Sequence, residues 1–193
     1  DDKAKEAAKA GTNGAVKMLI DTDGDGRADK VQVWADHLPP CYGICAARGG
    51  IIVACAPDIV YLADRDGDGK ADKRTVLYGP FGWQRDTHGN QASFRRGFDG
   101  WLYATHGYNN ISKVTAPDGS GIDISSGNTY RFAMNGSHIE SNTYGQVNPF
   151  GLWFDHYGNL FSADCHSQPI YELLRGAYYP SFGKPNDGLG FGP

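Results

Sequence analysis

Short runs of apolar residues separated by polar turns dominate this chain from about residue 15 onward. The runs span four or five residues and are rich in β-branched and aromatic side chains, which is typical of strands rather than helices. In the first half of the chain the order is strand, acidic loop, strand, and this order occurs twice. The sequence predicts strands at Val16–Ile20, Val31–Trp34, Gly50–Ala54, Ile59–Leu62 and Arg74–Tyr78.

The two acidic loops have nearly the same sequence and start 43 residues apart, at Asp21 and Asp64. A period of about 40–50 residues with several strands in each period is typical of a β-propeller. We therefore predict an all-β fold, a β-propeller of four-stranded antiparallel blades. The predicted organisation is an N-terminal tail at residues 1–14 and a propeller domain at residues 15–193.

The second half repeats a different element, a strand followed by an Asp/Gly turn and an aromatic-flanked strand. It occurs at Phe98–Ala104 and again at Phe154–Ser162. The matching leucines, Leu102 and Leu160, are 58 residues apart, and we assign the excess to a loop insertion in the polar stretch Thr115–Ser126. These units amount to three or four blades, whereas a propeller usually needs about 4–8. We therefore expect an incomplete ring, which self-association or further chain outside these residues would complete.

Composition narrows the classes of partner. With 193 residues the chain can bury a sizeable core, and 27 glycines with 24 aromatic residues fit many short strands joined by tight turns. The net charge is −4, and most of it lies in the acidic loops, which argues against nucleic acid as a partner. No apolar run approaches the ~20 residues of a membrane span.

Each acidic loop places carboxylates at loop positions 1, 3, 5 and 9, with glycines at positions 4 and 6. Such close carboxylates repel one another unless a cation lies between them, and Ca²⁺ takes about 6–8 oxygen ligands in a flexible shell. Position 12 is Gln32 or Thr75, so the loops are not EF-hands. The predicted calcium ligands, which include the main-chain carbonyl at position 7, are Asp21, Asp23, Asp25, Arg27 and Asp29 in the first loop and Asp64, Asp66, Asp68, Lys70 and Asp72 in the second. The alternative is a solvated acidic turn between two strands.

The four cysteines, Cys41, Cys45, Cys55 and Cys165, match no zinc-site spacing and no haem attachment motif. Disulfide bonds in an exported protein and free buried thiols both fit these spacings.

Several motifs resemble the propeller of planctomycete-type membrane-bound dehydrogenases, which is in turn similar to soluble quinoprotein glucose and aldose-sugar dehydrogenases. The matching segments are Ala56–Leu62, Asp86–Asn90, Arg96–Tyr103, Gly107–Asn110, Gly145–Gly151 and Ala163–Ser167. The resemblance covers roughly residues 15–193. It implies an exported protein, periplasmic or extracellular, in which a cytochrome c domain often follows the propeller.

For the chemistry, the resemblance implies a sugar or alcohol dehydrogenase that uses pyrroloquinoline quinone and passes electrons to a cytochrome. His88 is then the general base, since a histidine titrates in the range suited to proton transfer near neutrality. Polar residues at the ends of inner strands are expected to meet at the channel mouth, where they would hold the cofactor. These residues are Arg85, Asn90, Asn109, Asn148 and His166.

A non-catalytic propeller, stiffened by calcium and binding glycans or proteins, is the second hypothesis for this sequence. In that case the same channel-mouth residues would form turns and hydrogen bonds between blades, or would bind a sugar. A C-x-x-C-H motif further along the gene would favour the dehydrogenase.

Overall fold

The computed structural model describes residues 13–165 and 170–179, and within these residues every regular element is a β-strand. No helix that could cross a membrane occurs in this part of the chain. The strands are β1 (Gly14–Ile20), β2 (Lys30–Leu38), β3 (Cys41–Ala47), β4 (Gly50–Cys55), β5 (Asp58–Ala63), β6 (Lys73–Tyr78), β7 (Ala92–Arg96), β8 (Leu102–His106), β9 (Ile111–Thr115), β10 (Gly121–Ser125), β11 (Gly127–Phe132), β12 (Ile139–Gln146), β13 (Pro149–Phe154), β14 (Leu160–Asp164) and β15 (Tyr171–Leu173).

The strands form successive antiparallel sheets that follow the chain as propeller blades do. One four-stranded sheet has the order β3-β4-β5-β6 and another the order β7-β8-β11-β12. A three-stranded sheet, β13-β14-β15, follows, and the pair β1-β2 precedes them. The first strands of consecutive sheets touch, because β3 contacts β7 and β7 contacts β13. The all-β propeller architecture predicted from the sequence is therefore confirmed.

The core lies between neighbouring sheets. Strands β4 and β5 are almost continuously apolar and buried, as expected for the central strands of a sheet covered on both faces. Ile52 and Ile59 of one sheet pack in one cluster with Leu102, Tyr130 and Phe132 of the next. Aromatic rings fill part of this space, and some of them meet edge-on; the Phe94 and Phe132 ring centroids, for example, are 5.5 Å apart. Burial between blades thus fixes how each sheet is placed against the next.

Two parts of the strand prediction need correction. The stretch Thr115–Ser126 is an insertion, as expected, but it contains one strand of a β-hairpin rather than a loop, since β9 pairs with β10. Three apolar residues of this hairpin, Val114, Ile122 and Ile124, alternate with polar ones and are buried in the main core, whereas Ile111 is exposed. The sequence also fails to predict the inner strand β3, because its Gly and Cys residues give a weak strand signal.

The direction of the strands defines two ends of the molecule. We call the end at which β3, β7 and β13 begin the mouth face, and the opposite end the distal face. Strands alternate in direction within each sheet, so the turn between β5 and β6 lies on the distal face, and the segments before β7 and before β13 lie on the mouth face.

Candidate functional site

The acidic loops connect β1 to β2 and β5 to β6, and each one gathers three carboxylates. Oxygen atoms of Asp21, Asp23 and Asp25 lie within 4.8 Å of one another, and Asp64, Asp66 and Asp68 do the same in the second loop. These are loop positions 1, 3 and 5. The convergence is local, because both segments are short loops between paired strands of a hairpin.

Main-chain N–H groups fix this arrangement, and they do so identically in both loops. Gly24 and Gly26 donate to the two oxygens of Asp21 at 2.7 and 2.9 Å. Gly67 and Gly69 donate to Asp64 at the same two distances. All four glycines have φ between 79° and 88°, a range that favours glycine. The N–H bonds lower the pKa of Asp21, with Gly26 the largest contributor, so this carboxylate is ionised and aimed into the loop.

The position-9 aspartates lie outside these groups of three. Asp29 accepts hydrogen bonds from the Thr22 hydroxyl and N–H at 2.7 and 2.8 Å, and these lower its pKa. Asp72 instead accepts from Arg65, whose guanidinium nitrogen is 3.0 Å away and lowers the pKa of Asp72. In both loops the position-9 carboxylate therefore hydrogen-bonds to the residue at position 2 and joins the two ends of the loop. At position 7, the N–H groups of Arg27 and Lys70 donate to the position-5 carboxylates at 2.8 and 2.7 Å.

The second acidic loop also contacts strand β2, which follows the first loop. Gln32 of β2 donates its side-chain N–H to the Gly69 carbonyl in the second loop at 2.7 Å, and the Ala71 N–H donates to the Trp34 carbonyl at 2.7 Å. The position that carries the bidentate acid in an EF-hand is therefore used here to join two neighbouring sheets.

On the mouth face a cavity of about 580 Å³ opens between segments that enter or leave the inner strands. The segment before β7 contributes Asp86 and His88, and the segment after β8 contributes Tyr108. Phe150 of β13 and residues just before β13 and just after β14 complete the lining, namely Val147, Asn148 and Cys165. The structure thus brings His88 and Asn148 to one cavity although they are 60 residues apart in sequence.

His88 is held by the neighbouring carboxylate of Asp86. The His88 N–H donates to Asp86 Oδ1 at 2.8 Å, and the ring atom Nδ1 lies 3.1 Å from the same oxygen. This contact favours the tautomer with its proton on Nδ1, which leaves Nε2 as a proton acceptor. The His88 side chain is 85% exposed, so the ring is open to the solvent-filled cavity.

Asn110 holds the segment that carries His88. Its side-chain N–H group donates to the carbonyls of Asp86 and Gly89 at 2.7 and 3.0 Å, and its oxygen accepts from the N–H groups of Arg85 and Asp86 at 3.2 and 3.3 Å. The side chain is buried. A polar residue after β8 therefore fixes a loop that precedes β7.

Of the predicted channel-mouth residues that the structure describes, Arg85, Asn90 and Asn109 do not line this cavity. Arg85 and Asn109 have exposed side chains elsewhere, and Asn90 is buried and donates to the Thr87 carbonyl at 3.0 Å. Asn148 does line the cavity, but its oxygen also accepts from the Tyr108 N–H at 3.0 Å. His166 lies outside the described residues. Sequence reasoning missed Tyr108 and Cys165 as lining residues and Asp86 as the partner of His88, although the Asp-x-His spacing was a visible signal for that pair.

The arrangement does not supply a counter-charge for pyrroloquinoline quinone, which is a polycarboxylate. Among the described residues that line the cavity there is no lysine or arginine, and Asp86 adds a carboxylate. The described lining therefore does not fit this cofactor, and we derive no step through it.

Two solved structures are distantly similar to this chain. A Thermus thermophilus protein named as an oxidoreductase (glucose dehydrogenase) is 14% identical with a TM-score of 0.41, over 93% of this chain and 72% of its own. A luciferin-regenerating enzyme is 11% identical with a TM-score of 0.35, over 77% and 60%. No curated protein matches the chain. A family profile does match residues 1–186, nearly the whole sequence, and the chain therefore belongs to the family described as "Domain of unknown function (DUF7133)".

Proposed function

We propose that this propeller binds two calcium ions, one in each acidic loop on its distal side. The observation that carries the proposal is that, in both loops, the carboxylates at positions 1, 3 and 5 converge within 4.8 Å of one another. Each convergence is held by the same N–H bonds to the position-1 aspartate. A carboxylate has about four lone-pair sites, so an oxygen that accepts one N–H can still bind a cation.

The donor set fits a hard divalent cation. Three carboxylates supply charge, main-chain carbonyls and water can supply further oxygens, and Ca²⁺ tolerates such an irregular shell better than Mg²⁺ does. The loops are exposed and lack an acid at position 12, so we expect dissociation constants near those of extracellular calcium modules, about 10⁻⁴–10⁻³ M. Such affinities suit an exported protein in millimolar calcium, which is where the proposal places this chain.

Calorimetric titration of chelator-treated protein tests the proposal. We expect two sites for Ca²⁺, much weaker binding of Mg²⁺, and a gain of about 1.4 kcal/mol per site in the free energy of unfolding at ten times Kd. Asp23→Ala and Asp66→Ala should each remove one site. Asp123→Ala, which removes an exposed acid outside the loops, should keep both.

Stability without calcium separates metal binding from a purely structural role. The carboxylates of one loop repel one another when no cation is present. Asp23→Ala and Asp66→Ala should therefore leave the calcium-free protein as stable as before, or make it slightly more stable. A chelator-treated protein that takes up no calcium, or variants that are destabilised equally with and without calcium, would contradict the proposal.

We further propose that the mouth cavity binds a small sugar or alcohol, with His88 as the proton acceptor. The supporting observation is the Asp86–His88 contact of 3.1 Å at the edge of a cavity of about 580 Å³, a volume in the usual range for small-molecule sites. In this arrangement Asp86 orients the imidazole, and Nε2 accepts the proton of a ligand hydroxyl.

Titration of the protein with aldose sugars, followed by NMR of the His88 ring, tests binding directly. His88→Gln should weaken binding, and His37→Gln, at an exposed histidine on β2, should not. Sugar shifts that are the same in His88→Gln would contradict the assignment of this cavity.

A further inference from the structure

Two of the four cysteines lie directly opposite each other on neighbouring strands. Cys41, the first residue of β3, is the register partner of Cys55, the last residue of β4. Their Sγ atoms are 2.9 Å apart. The other two cysteines differ, since Cys45 pairs in register with Ile52, and Cys165 lies at the mouth cavity.

The main-chain bonds show which kind of cross-strand pair this is. The Ala56 N–H donates to the Pro40 carbonyl at 3.1 Å, which joins the residue after Cys55 to the residue before Cys41. In an antiparallel ladder, a hydrogen bond in that position marks Cys41 and Cys55 as a non-hydrogen-bonded pair. Such pairs have Cα atoms about 4.5 Å apart and side chains closer than in the other class. That separation lies within the range that a disulfide spans, about 4.4–6.8 Å.

We propose that Cys41 and Cys55 form a reversible disulfide that ties β3 to β4 at the mouth face. The oxidant is a disulfide-bearing small molecule or protein. The Cys41 thiolate attacks one sulfur of the oxidant, which gives a mixed disulfide and releases one thiol. The Cys55 thiol then loses its proton and attacks Sγ of Cys41, which releases the second thiol. The two cysteines lose two protons and two electrons, and the oxidant disulfide takes them up as two thiols.

Burial and charge set the order of these steps. Cys55 is fully buried, whereas Cys41 is only partly buried and can be reached by an oxidant. The hydrogen bond between the two sulfurs, with a smaller contribution from Arg74, lowers the pKa of Cys41. Burial raises the pKa of Cys45, so that neighbouring thiol is a poorer nucleophile. Cys41 is therefore the attacking residue and Cys55 the resolving one.

Tryptic mapping of the native protein after treatment with oxidised glutathione tests the proposal. Cleavage at Lys30, Arg48 and Arg65 places Cys41 and Cys45 in one peptide and Cys55 in the next. We expect these two peptides to be linked, to separate on reduction, and to be linked again in Cys45→Ser and in Cys165→Ser. Cys55→Ser should instead trap Cys41 as a mixed disulfide with glutathione, and Cys41→Ser should leave Cys55 as a thiol.

The melting temperature gives a second readout. A disulfide between Cys41 and Cys55 joins residues 14 positions apart in the sequence. It should raise the Tm of the oxidised protein by about 5–10 °C over the reduced protein, and Cys41→Ser should abolish the difference. Loss of the linked peptide in Cys45→Ser would show that Cys45 is the true partner and overturn the proposal. A link that forms only in denaturant, or full alkylation of Cys41 and Cys55 after oxidation of the native protein, would also overturn it.

Discussion

At the scale of single residues, polar side chains in this protein mainly hold loops in place. Asn110 is the strongest case, because one buried amide meets four main-chain groups of the segment that carries His88. Buried main-chain groups must be paired, and a loop cannot pair them through a sheet ladder. Asn110 therefore determines where His88 lies without lining the cavity.

Replacing Asn110 by alanine should destabilise the protein by about 2–4 kcal/mol, because several N–H and C=O groups would lose their partner in a buried position. The free energy of unfolding from urea titration measures this effect. Asn109→Gly is the matched control, since this exposed neighbour has φ 64°, which glycine adopts freely, and its loss should cost little. Equal destabilisation by the two changes would show that the four bonds contribute nothing specific.

Two histidines should shape the pH dependence of stability in opposite directions. Burial lowers the pKa of His106, so the unfolded chain binds a proton that the folded chain excludes, and stability is lost as the pH falls below about 6.5. A hydrogen bond to Asp118 raises the pKa of His138, so its contribution is present below about 6.5 and is lost as the pH rises through the folded-state pKa. These two terms place a stability maximum near pH 6.5.

Urea unfolding between about pH 5 and 8 checks both terms. His106→Gln should flatten the acid side of the curve, and His138→Gln should flatten the alkaline side. If His106→Gln leaves the acid side as steep as before, the buried imidazole is not the group that titrates there.

At the scale of elements, the sequence predicts those strands whose pattern is set locally. The strand predicted at Ile59–Leu62, for instance, lies within β5, and Gly50–Ala54 is short of β4 by one residue. The hairpin of β9 and β10 escapes prediction because each strand has only five residues, and its buried apolar residues are covered by distant strands. Propensity cannot show such long-range packing.

The same distinction applies to the sites. The carboxylates that converge in each acidic loop lie within five residues, at positions 1, 3 and 5, so spacing alone predicts that they approach one another. The mouth cavity joins segments that lie far apart, and propeller symmetry predicts only that His88 and Asn148 approach one another. Which side chains line the cavity depends on bonds such as Tyr108 N–H to Asn148, which no pattern in the sequence reveals.

Close contact between loop backbones gives a prediction at this scale. The Gly107 N–H donates to the Gly89 carbonyl at 3.3 Å, and a Cβ on Gly107 would lie 2.2 Å from Asn148 Oδ1 and 2.7 Å from Gly89 Cα. Gly107→Ala should therefore destabilise the protein by about 2–3 kcal/mol, because the segments before β7 and after β8 must separate. Gly151→Ala, in β13, is the control in thermal unfolding, since the nearest atom to its Cβ would be the Ala163 Cβ at 3.2 Å. A Gly107→Ala variant that melts at the wild-type temperature would rule out this close packing.

At the scale of the whole molecule, the proposed calcium loops and the cavity lie at opposite ends of the blades. The second acidic loop joins the two outer strands of its sheet, far from the inner strands β3, β7 and β13, whose starts frame the mouth. Calcium at the loops would therefore stabilise the contact between outer strands, through bonds such as Gln32 to Gly69, rather than take part in chemistry at the cavity. We accordingly expect calcium to change stability more than ligand affinity.

The sheet of β1 and β2 leads to the last prediction. Among the described residues β1 pairs only with β2, so its other edge is unpaired along Gly14–Ile20. Leu19 on this strand is 67% exposed, and Val31, its register partner on β2, is also exposed. Unpaired apolar edges recruit other strands. We therefore expect a protein of these 193 residues to associate through β1 as its concentration rises.

Sedimentation equilibrium over a range of protein concentrations measures this association. Leu19→Lys adds an exposed charge to the edge and should weaken association at least tenfold, whereas Leu174→Lys, at a comparably exposed leucine after β15, should have little effect. A mass that stays monomeric at every concentration would show that the edge of β1 is covered in solution. Equal weakening by both variants would place the contact elsewhere.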